Sequence, residues 1–543
     1  MHTDFDVAIA GYGPTGLVAA SALGAKGHRV LVVERWPGLY GMPRLTHIDG
    51  ETARIIQHVG DVDDALRVAR PVDSYTWLSG DGETLLTVDW SGTSSGYPAH
   101  FSIYQPDIED AIDARVRSFP NVTVKQGWNL NHVEQDDERV VLRIRPWSRD
   151  RNRQWTDTGE SETFTARYLI AADGANSFVR ESLGIDRDDL HSDDVWLNID
   201  TEQLGDLPDR FAQSSQFCDP ARPHMFMPIG FGRQRFEVAV LPGDDVEEAK
   251  TLDHAWRWLR DTHGIGPDDV RILRNIVYTF SARTAERWRD GRVLLGGDAA
   301  HTMPPYMGQG ACSGMRDGLT AAWKLDLVLR GLADERLLDT YEAERRPHAG
   351  AIQATSVFLG RLANTLDADE AAERDAMFRS GDAPPPPPFP TIVAGVIRMD
   401  AAGAPIAPAG ELAPQGRVRA GDRSGLFDNV VGAGLSLVAR DDPRALLDAE
   451  RLGLLEALGA TIGTTAPGTP WSFEDLDGVY AAFFAEHDAA AFISRPDFHL
   501  FGAAAAEELP GLVDELGLRL SLRAVPAVAA APAVPAVPAG SEA

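Results

Sequence analysis

Cysteine and lysine are nearly missing from this 543-residue chain. There are two cysteines, Cys218 and Cys312, and four lysines, Lys26, Lys125, Lys250 and Lys324. Two well-separated cysteines exclude a disulfide framework and a Cys-x-x-Cys metal site, and they fit a reducing compartment. No metal is expected. The lysine scarcity reads as coding bias and carries no chemistry. Positive charge as a whole is short, with 51 Lys+Arg against 81 Asp+Glu and a net charge of −30. A field of that sign repels phosphate backbones and anionic lipid, so neither nucleic acid nor a membrane is an expected partner. Long hydrophobic runs are absent too. The opening Met1-His2-Thr3-Asp4 enters a strand-like segment with no basic n-region and no cleavable apolar stretch, which predicts a cytoplasmic protein.

What is present is a globular composition: 44% hydrophobic and 24% charged residues, enough to bury a sizeable core. At about 100–200 residues per domain, two or three domains are expected. Residues 5–10 read as a buried strand, 14–26 as a helix and 29–33 as a second strand. Segments 122–144 and 163–172 read as strands returning to that unit, and 292–296 repeats the behaviour. Short alternating runs over 72–100 and 194–241, such as Phe236-Glu237-Val238-Ala239-Val240, predict antiparallel sheet. From 310 to 375 the pattern is helical until the prolines at 384–388 stop it, because proline lacks the N–H a helix needs. A strand at 435–439 and helices at 443–458 and 504–516 predict a third, small α/β domain. After Arg523 the low-complexity Ala, Val and Pro tail is expected to be disordered.

Three motifs carry chemistry. Gly11-Tyr12-Gly13-Pro14-Thr15-Gly16 follows a strand and opens a helix, and Glu34 ends the next strand. Glycines there permit a tight turn and close approach to a pyrophosphate, the helix N-terminus faces the anion, and the acid accepts from a ribose hydroxyl. An acid at this place favours an unphosphorylated ribose, as in FAD or NAD. The second motif, 292–301, is a buried strand ending in Gly296-Gly297-Asp298. It continues through Pro304-Pro305-Tyr306-Met307-Gly308-Gln309-Gly310 into a helix whose N-terminus can face a developing anion. The third, Ala172-Asp173-Gly174-Ala175-Asn176-Ser177, reads by itself as a turn or helix cap.

In this order the three motifs resemble those of the FAD-dependent aromatic hydroxylases, the single-component flavoprotein monooxygenases typified by p-hydroxybenzoate hydroxylase, over residues 4–360. Gly308-Gln309-Gly310, Ser313-Gly314-Met315-Arg316-Asp317 and Ala322-Trp323-Lys324 look most like 3-(3-hydroxyphenyl)propionate hydroxylase and its polyketide-tailoring relatives. The resemblance implies an α/β chain with a Rossmann-like FAD-binding domain at 1–71, 101–185 and 280–360. It implies an inserted antiparallel-sheet substrate domain at 72–100 and 186–279, then a helical and Pro-rich linker at 361–390. A thioredoxin-like domain without redox cysteines at 391–522 and a disordered tail at 523–543 complete the chain.

The same likeness implies that Gly11, Gly13 and Gly16 meet the FAD pyrophosphate and Glu34 the adenosine ribose. Arg35, Arg44 and Gln105 hold the adenosine, pyrophosphate and ribityl portions, and the backbone at Leu130 holds the adenine. Asp173 belongs to a motif tied to FAD and pyridine-nucleotide use, Asp298 binds the ribityl and pyrophosphate region, and Pro305, Gly308 and Gly310 line the isoalloxazine. One departure is Cys312, where relatives usually carry Asn beside the flavin. Only one complete GxGxxG is present, since Gly230-Phe231-Gly232 and Gly432-Ala433-Gly434 lack the third glycine. NADH or NADPH is thus expected as a visiting co-substrate.

The implied reaction is NAD(P)H- and O2-dependent hydroxylation of a phenol, ortho or para to its hydroxyl, with oxygen added at flavin C4a in a dry pocket. A 3-(3-hydroxyphenyl)propionate-like substrate is expected. Phenolate formation calls for a base or acceptor, and His47 is the candidate, with a satisfied structural histidine as the alternative. His301 reads as structural. Met225 and Met227, sharing one strand face, and Tyr306 are candidate substrate contacts, with core packing the alternative for the methionines. Arg222, Arg233 and Arg235 could meet a substrate carboxylate or lie in solvent. Competing readings are a polyketide-tailoring hydroxylase, epoxidase or Baeyer–Villiger enzyme, a non-catalytic binding protein, and a flavin halogenase, whose Trp-x-Trp motif Trp256-Arg257-Trp258 only half imitates. Homodimerisation is left open.

Overall fold

Apolar residues on consecutive positions, as in Val7-Ala8-Ile9-Ala10, suit a strand covered on both faces, and all four are buried. A computed structural model describes residues 3–149, 153–383, 385 and 387–523. Its first sheet has nine strands, with the central path Val122–Gln126, Val30–Glu34, Phe5–Ala10, Glu162–Ala171, Val140–Arg149 and Trp128–Gln135. The first four are parallel neighbours. Glu162–Ala171 divides its other edge: the first half pairs antiparallel with Val140–Arg149, and the last residues pair in parallel with Val293–Leu295. The helices Pro14–Ala25 and Gly310–Leu329 cover this sheet, packed closely enough that a Cβ on Gly314 or Gly318 would lie 2.5 Å from Thr15.

The second sheet has eight strands, in the order His301–Thr302, Val270–Ala285, Arg187–Gln203, Arg233–Ala239, His224–Pro228, Ser214–Cys218, Ser74–Ser79 and Thr84–Asp89. Its neighbours are antiparallel except Ser214–Cys218 and Ser74–Ser79, which run parallel. The strand Val270–Ala285 is continuous and pairs with Arg187–Gln203 as far as Arg187↔Ala285, so the boundary expected at 279/280 falls inside a strand. One face packs Leu197, Ile199, Phe226, Phe236 and Val238 against Leu259 and Ile265. The other face turns toward the first domain.

In the C-terminal region a four-stranded sheet runs Thr461–Thr464, Ser436–Ala439, Ala491–Ser494 and Leu500–Ala504, with the first pair parallel and the others antiparallel. The expected helix at 443–458 is two helices, because Asp448 caps a new start at Ala449–Leu458 by accepting from Arg451 N. The helix expected from 504 begins only at Leu509. Ala503 and Ala504, good helix formers, are drawn into a fully buried edge strand by pairing and packing, a tertiary override of propensity. The helix Ala368–Ser380 ends at Gly381, whose φ of +78° forms a left-handed C-terminal turn; glycine, ahead of the prolines, terminates it. The tail expectation for 524–543 lies outside the described residues, while Arg523 is tied down by its N–H donating to Leu332 O.

The C-terminal region docks through buried charge. Arg54 pairs with Asp428 at 2.7 Å and donates to Ala413 O, while Arg495 joins Glu344 and Asp497. Lys324 reaches Glu344 at 2.8 Å, and burial draws its ammonium down to about 8. Removing one member of such a network strands the others, so each is a positioning element for the helix Gly310–Leu329.

Candidate active site

The motif loops converge because their strands are neighbours in register: Ala10 meets Ala171, and Ala171 meets Leu295. Backbone bonds join the tips, from Gly11 N to Val33 O at 2.8 Å, Ala172 N to Ala10 O at 2.8 Å and Gly296 N to Ala171 O at 2.9 Å. Carboxyl ends of parallel strands form the ligand crevice of such sheets. Gly11 has φ +96°, and a Cβ there would sit 2.2 Å from Ala172 O; only glycine allows this crossing. Gly16 is equally tight against Gly11 O, whereas a Cβ on Gly13 would meet nothing within 4 Å. The helix Pro14–Ala25 begins at Gly13 with no side-chain cap and no acidic residue in its first turn. This open corner at an uncapped N-terminus fits a pyrophosphate.

Glu34 stands at the rim. Its carboxylate accepts from Tyr12 N and Trp36 N, both at 2.9 Å, bracing the glycine loop with lone pairs to spare for ribose hydroxyls. Arg35 is exposed beside it, with its guanidinium over the Trp36 ring. Leu130 lies on the strand Trp128–Gln135 where the pairing skips from Leu130 to His132, and a bulge of that kind frees backbone groups. Gln105, expected to reach a cofactor, also bonds the protein. Its Oε1 accepts from Arg44 N and Leu45 N, and its Nε2 donates to Glu109. It therefore positions the segment that carries Arg44, whose side chain is exposed. Glu109, not anticipated from sequence, is pushed up to about 7 by burial, and its Oε2 has no partner.

Asp173 acts as the cap its sequence suggested: Ser177 Oγ donates to Oδ1 at 2.5 Å and Val179 N to Oδ2 at 3.1 Å. Burial nonetheless raises its pKa. Asp298 is exposed amid buried neighbours at the tip after Val293–Leu295. The turn Pro305–Met307 leads to Gly308 at φ +63° and then to the helix starting at Gly310, again without a side-chain cap. A Cβ on Gly308 would lie 2.8 Å from His47 Nδ1. His47 thus abuts the turn.

His47 shares a hydrogen bond of 2.9 Å with His100 through Nε2, and its Nδ1 is buried without a partner. Burial first, then the adjacent His100, lowers it to about 4, so it is neutral near pH 7. Trp90 packs on both rings, stacking on His100 at 4.6 Å. Two residues on, Asp49 accepts from Gln309 Nε2 at 2.8 Å and from Arg316 at 2.5 Å. Burial alone would raise Asp49, but Arg316 holds it well below the usual carboxylate range. This bridge locks the His47 strand to the Gly308–Gly310 turn. Cys312 lies beneath, 3.6 Å from Gly308 O, with its thiol pushed up to about 12 by burial. His301 is structural as read, bound to Asp317 at 2.7 Å and stacked on Trp288.

Met225 and Met227 share the sheet face turned to the first domain, clustered with Trp196, Ala239 and Phe280. Met227 Sδ accepts from Thr46 Oγ1 at 2.8 Å, adjacent to His47. Tyr306 is buried, contacts Asp194 at 3.4 Å and accepts from Asn364. Burial and then Asp194 raise its pKa well above the usual value, keeping it protonated. The arginines considered for a substrate carboxylate are committed elsewhere: Arg235 to Asp200, Arg222 to Asp244, and Arg233 over the Tyr104 ring. Among the described residues no group of three or more His, Cys, Asp or Glu could hold a metal, and no helix is long and apolar enough to cross a membrane. His100, Trp90, Asn198 and Glu237 stand in no motif that marks them in the sequence. Asn198 and Glu237 alternate with apolar residues, and in a half-buried strand that pattern reads as the solvent face.

This fold and cradle define a dinucleotide-dependent oxidoreductase. Residues 4–356 match the family described as FAD binding domain, and 410–519 match the HcaD C-terminal domain. The chain belongs to the FAD-binding-domain family, as an FAD-dependent aromatic monooxygenase. It is 37% identical over 525 residues, covering 94% of each chain, to a probable NADH-specific resorcinol 4-hydroxylase of Rhodococcus jostii strain RHA1. It is 32% identical over 533 residues, 94% of this chain and 90% of the other, to a 3-(3-hydroxy-phenyl)propionate/3-hydroxycinnamic acid hydroxylase of Mycobacterium sp. strain JLS. Among solved structures, aklavinone-11 hydroxylase in a ternary complex with FAD and aklavinone matches with TM-score 0.72 at 25% identity, over 95% of this chain and 99% of that one. The flavin-dependent monooxygenase PieE, solved with FAD and substrate, shares the fold with TM-score 0.77 at 23% identity, over 95% of this chain and 100% of its own.

Proposed function

We propose that this enzyme hydroxylates a monocyclic phenol ortho or para to its hydroxyl, taking electrons from NADH and one oxygen atom from O2. The donor follows the named specificity of the Rhodococcus relative. Bound FAD supplies hydride acceptance and oxygen activation. The observation that carries the reading is the contact of Gly308, on the turn assigned to the flavin ring, with the neutral His47 at the edge of the sheet face bearing Met225 and Met227.

In this assignment Gly11, Gly13 and Gly16 admit the pyrophosphate, Glu34 and Arg35 take the adenosine end, and the bulge at Leu130 offers backbone to the adenine. Asp298 and Arg44 flank the pyrophosphate and ribityl portions, with Gln105 setting Arg44 in place. Pro305, Gly308 and Gly310 face the ring. His47, as a neutral imidazole, accepts a hydrogen bond from the phenolic hydroxyl, which pushes charge into the ortho and para carbons. Met225 and Met227 line the substrate and exclude water, and Tyr306, fixed by Asp194 and Asn364, orients it. The eight-stranded sheet is the substrate domain, and the C-terminal region, with one parallel pair at the edge of its sheet and antiparallel pairing through the rest, is thioredoxin-like and cysteine-free. It serves to buttress Gly310–Leu329. Phenol-stimulated NADH oxidation coupled to O2 uptake and a hydroxylated product tests the assignment; oxidation indifferent to every phenol refutes it.

A further inference from the structure

The sheet face that packs Met225 also holds a polar pair with no part in the steps above. Asn198 and Glu237 are direct cross-strand partners, and Glu237 faces Met225 on its other side. Each is 3% exposed. Asn198 Nδ2 donates to Glu237 Oε1 at 3.1 Å. That leaves Asn198 Oδ1 buried without a partner, and among the described residues Glu237 has no second hydrogen-bond donor. The guanidinium of Arg235 comes no nearer than 3.7 Å to the same Oε1. It is spent on Asp200 and on the carbonyls of Pro43 and Arg44, while Arg274 is likewise spent on Asp200 and Pro43 O. Buried acceptors left open are costly unless something completes them.

We infer that Asn198 and Glu237 form a hydroxyl-recognition subsite that takes an O–H of the substrate and selects a neutral dihydroxybenzene over an arene bearing a carboxylate. The inference rests on the proposed hydroxylase reading and names its substrate class. Two acceptor oxygens on one face suit a donor. A carboxylate reaching the same place finds no uncommitted arginine on this sheet face among the described residues, and it meets the Glu237 and Asp194 carboxyls instead. A phenolic hydroxyl satisfies Asn198 Oδ1 with a neutral hydrogen bond, or Glu237 Oε2 with one that is charge-assisted when the carboxylate is ionised. The second ring hydroxyl is then free to meet His47 across the face. The substrate expected from sequence, 3-(3-hydroxyphenyl)propionate, fits this pair poorly, and resorcinol fits it well.

The test uses the FAD-loaded enzyme and two variants, Glu237→Leu and Glu237→Gln. Binding of resorcinol, phenol and 3-(3-hydroxyphenyl)propionate is measured by calorimetry, and kcat and KM are measured for each. A site built to bond a substrate hydroxyl discriminates strongly against analogues lacking it. Wild type is expected to favour resorcinol over the propionate at least about a hundredfold in kcat/KM. Glu237→Leu is expected to weaken resorcinol binding about tenfold to a hundredfold, the value of one hydrogen bond to a charged group, with KM carrying the loss. Phenol binding changes less than resorcinol binding, and propionate binding does not weaken. Glu237→Gln keeps an acceptor and the side-chain shape; it retains more resorcinol affinity than Glu237→Leu and binds the propionate more tightly than wild type does. Equal losses on all three ligands, or a wild-type preference for the propionate, overturn the inference while leaving the hydroxylase intact. If no arene is hydroxylated, the hydroxylase reading fails, and the binding ratios still decide the subsite.

Discussion

Replacing Glu237 with glutamine removes a charge that the fold holds at a cost. Burial raises this carboxyl from 4.5 to about 7, against the pull of Arg235 and Arg274 and with the push of Asp200. Because the folded-state value lies above the unfolded one, the native state keeps a proton that the unfolded chain has released between about pH 4.5 and 7. Stability contributed by this residue is therefore fully present below pH 4.5 and lost as pH rises through 7. At about 1.4 kcal/mol per pKa unit the loss at pH 8 is on the order of 3 kcal/mol. Glutamine has no proton to lose. The variant should match wild type at pH 5 and exceed it at pH 8 by up to about 6–12 °C in the unfolding midpoint of the surrounding domain, at about 2–4 °C per kcal/mol. Other titrating groups, His47 and His263 among them, cancel in the comparison of the two proteins. Fluorimetric melting at both pH values measures it. An offset that is the same at pH 5 and pH 8, or a variant less stable at pH 8, refutes a buried, nearly unpaired carboxyl.

Gly11→Ala places a methyl 2.2 Å from Ala172 O at a φ of +96°; it should abolish FAD retention and destabilise by at least about 2 kcal/mol, and a yellow, normally stable variant would contradict the crossing described. Asp298→Ala should lower FAD occupancy without moving the melting point of the cofactor-free protein, since the exposed side chain holds nothing else in place; unchanged occupancy removes it from the cofactor site. His47→Gln should depress product formation more than NADH consumption, seen as a falling ratio of hydroxylated product to NADH oxidised. Because His47 is lowered to about 4 by burial and His100, it stays neutral through pH 5–8. Wild-type activity should carry no His47 step near pH 6.5, and a step there that His47→Gln removes would count against the buried geometry.

The cradle was legible in sequence because glycine spacing and strand-end acids are local features: Gly11 to Gly16, Glu34, and Gly296 to Asp298 stand where a few residues dictate the turn. Asp173 was legible as a cap for the same reason. The pairing of Met225 and Met227 on one face followed from strand alternation. What stayed hidden was non-local. The bonds of Gln105 to the backbone N–H groups of Arg44 and Leu45 could not be read because those partners lie some sixty positions away. Glu237 and Asn198 alternate with apolar residues, and nothing local in the sequence tells that this side of the sheet is buried. Ala503 and Ala504 prefer a helix and were captured by Ala491–Ser494 as an edge strand. The arginines of the sheet looked available for a substrate carboxylate because Asp200 and Asp244, which consume them, are paired only by the fold.

The central claim is that converging strand ends hold FAD over a phenol held by His47 and the inner sheet face. Turnover of resorcinol with NADH under 18O2, followed by mass spectrometry of the product, tests it most directly. The account predicts one labelled oxygen per product molecule, on the ring carbon ortho or para to a hydroxyl, with NADH consumption accelerated by the substrate. Product whose new oxygen comes from water, or NADH consumption that yields only peroxide at a rate unaffected by any phenol, would contradict it.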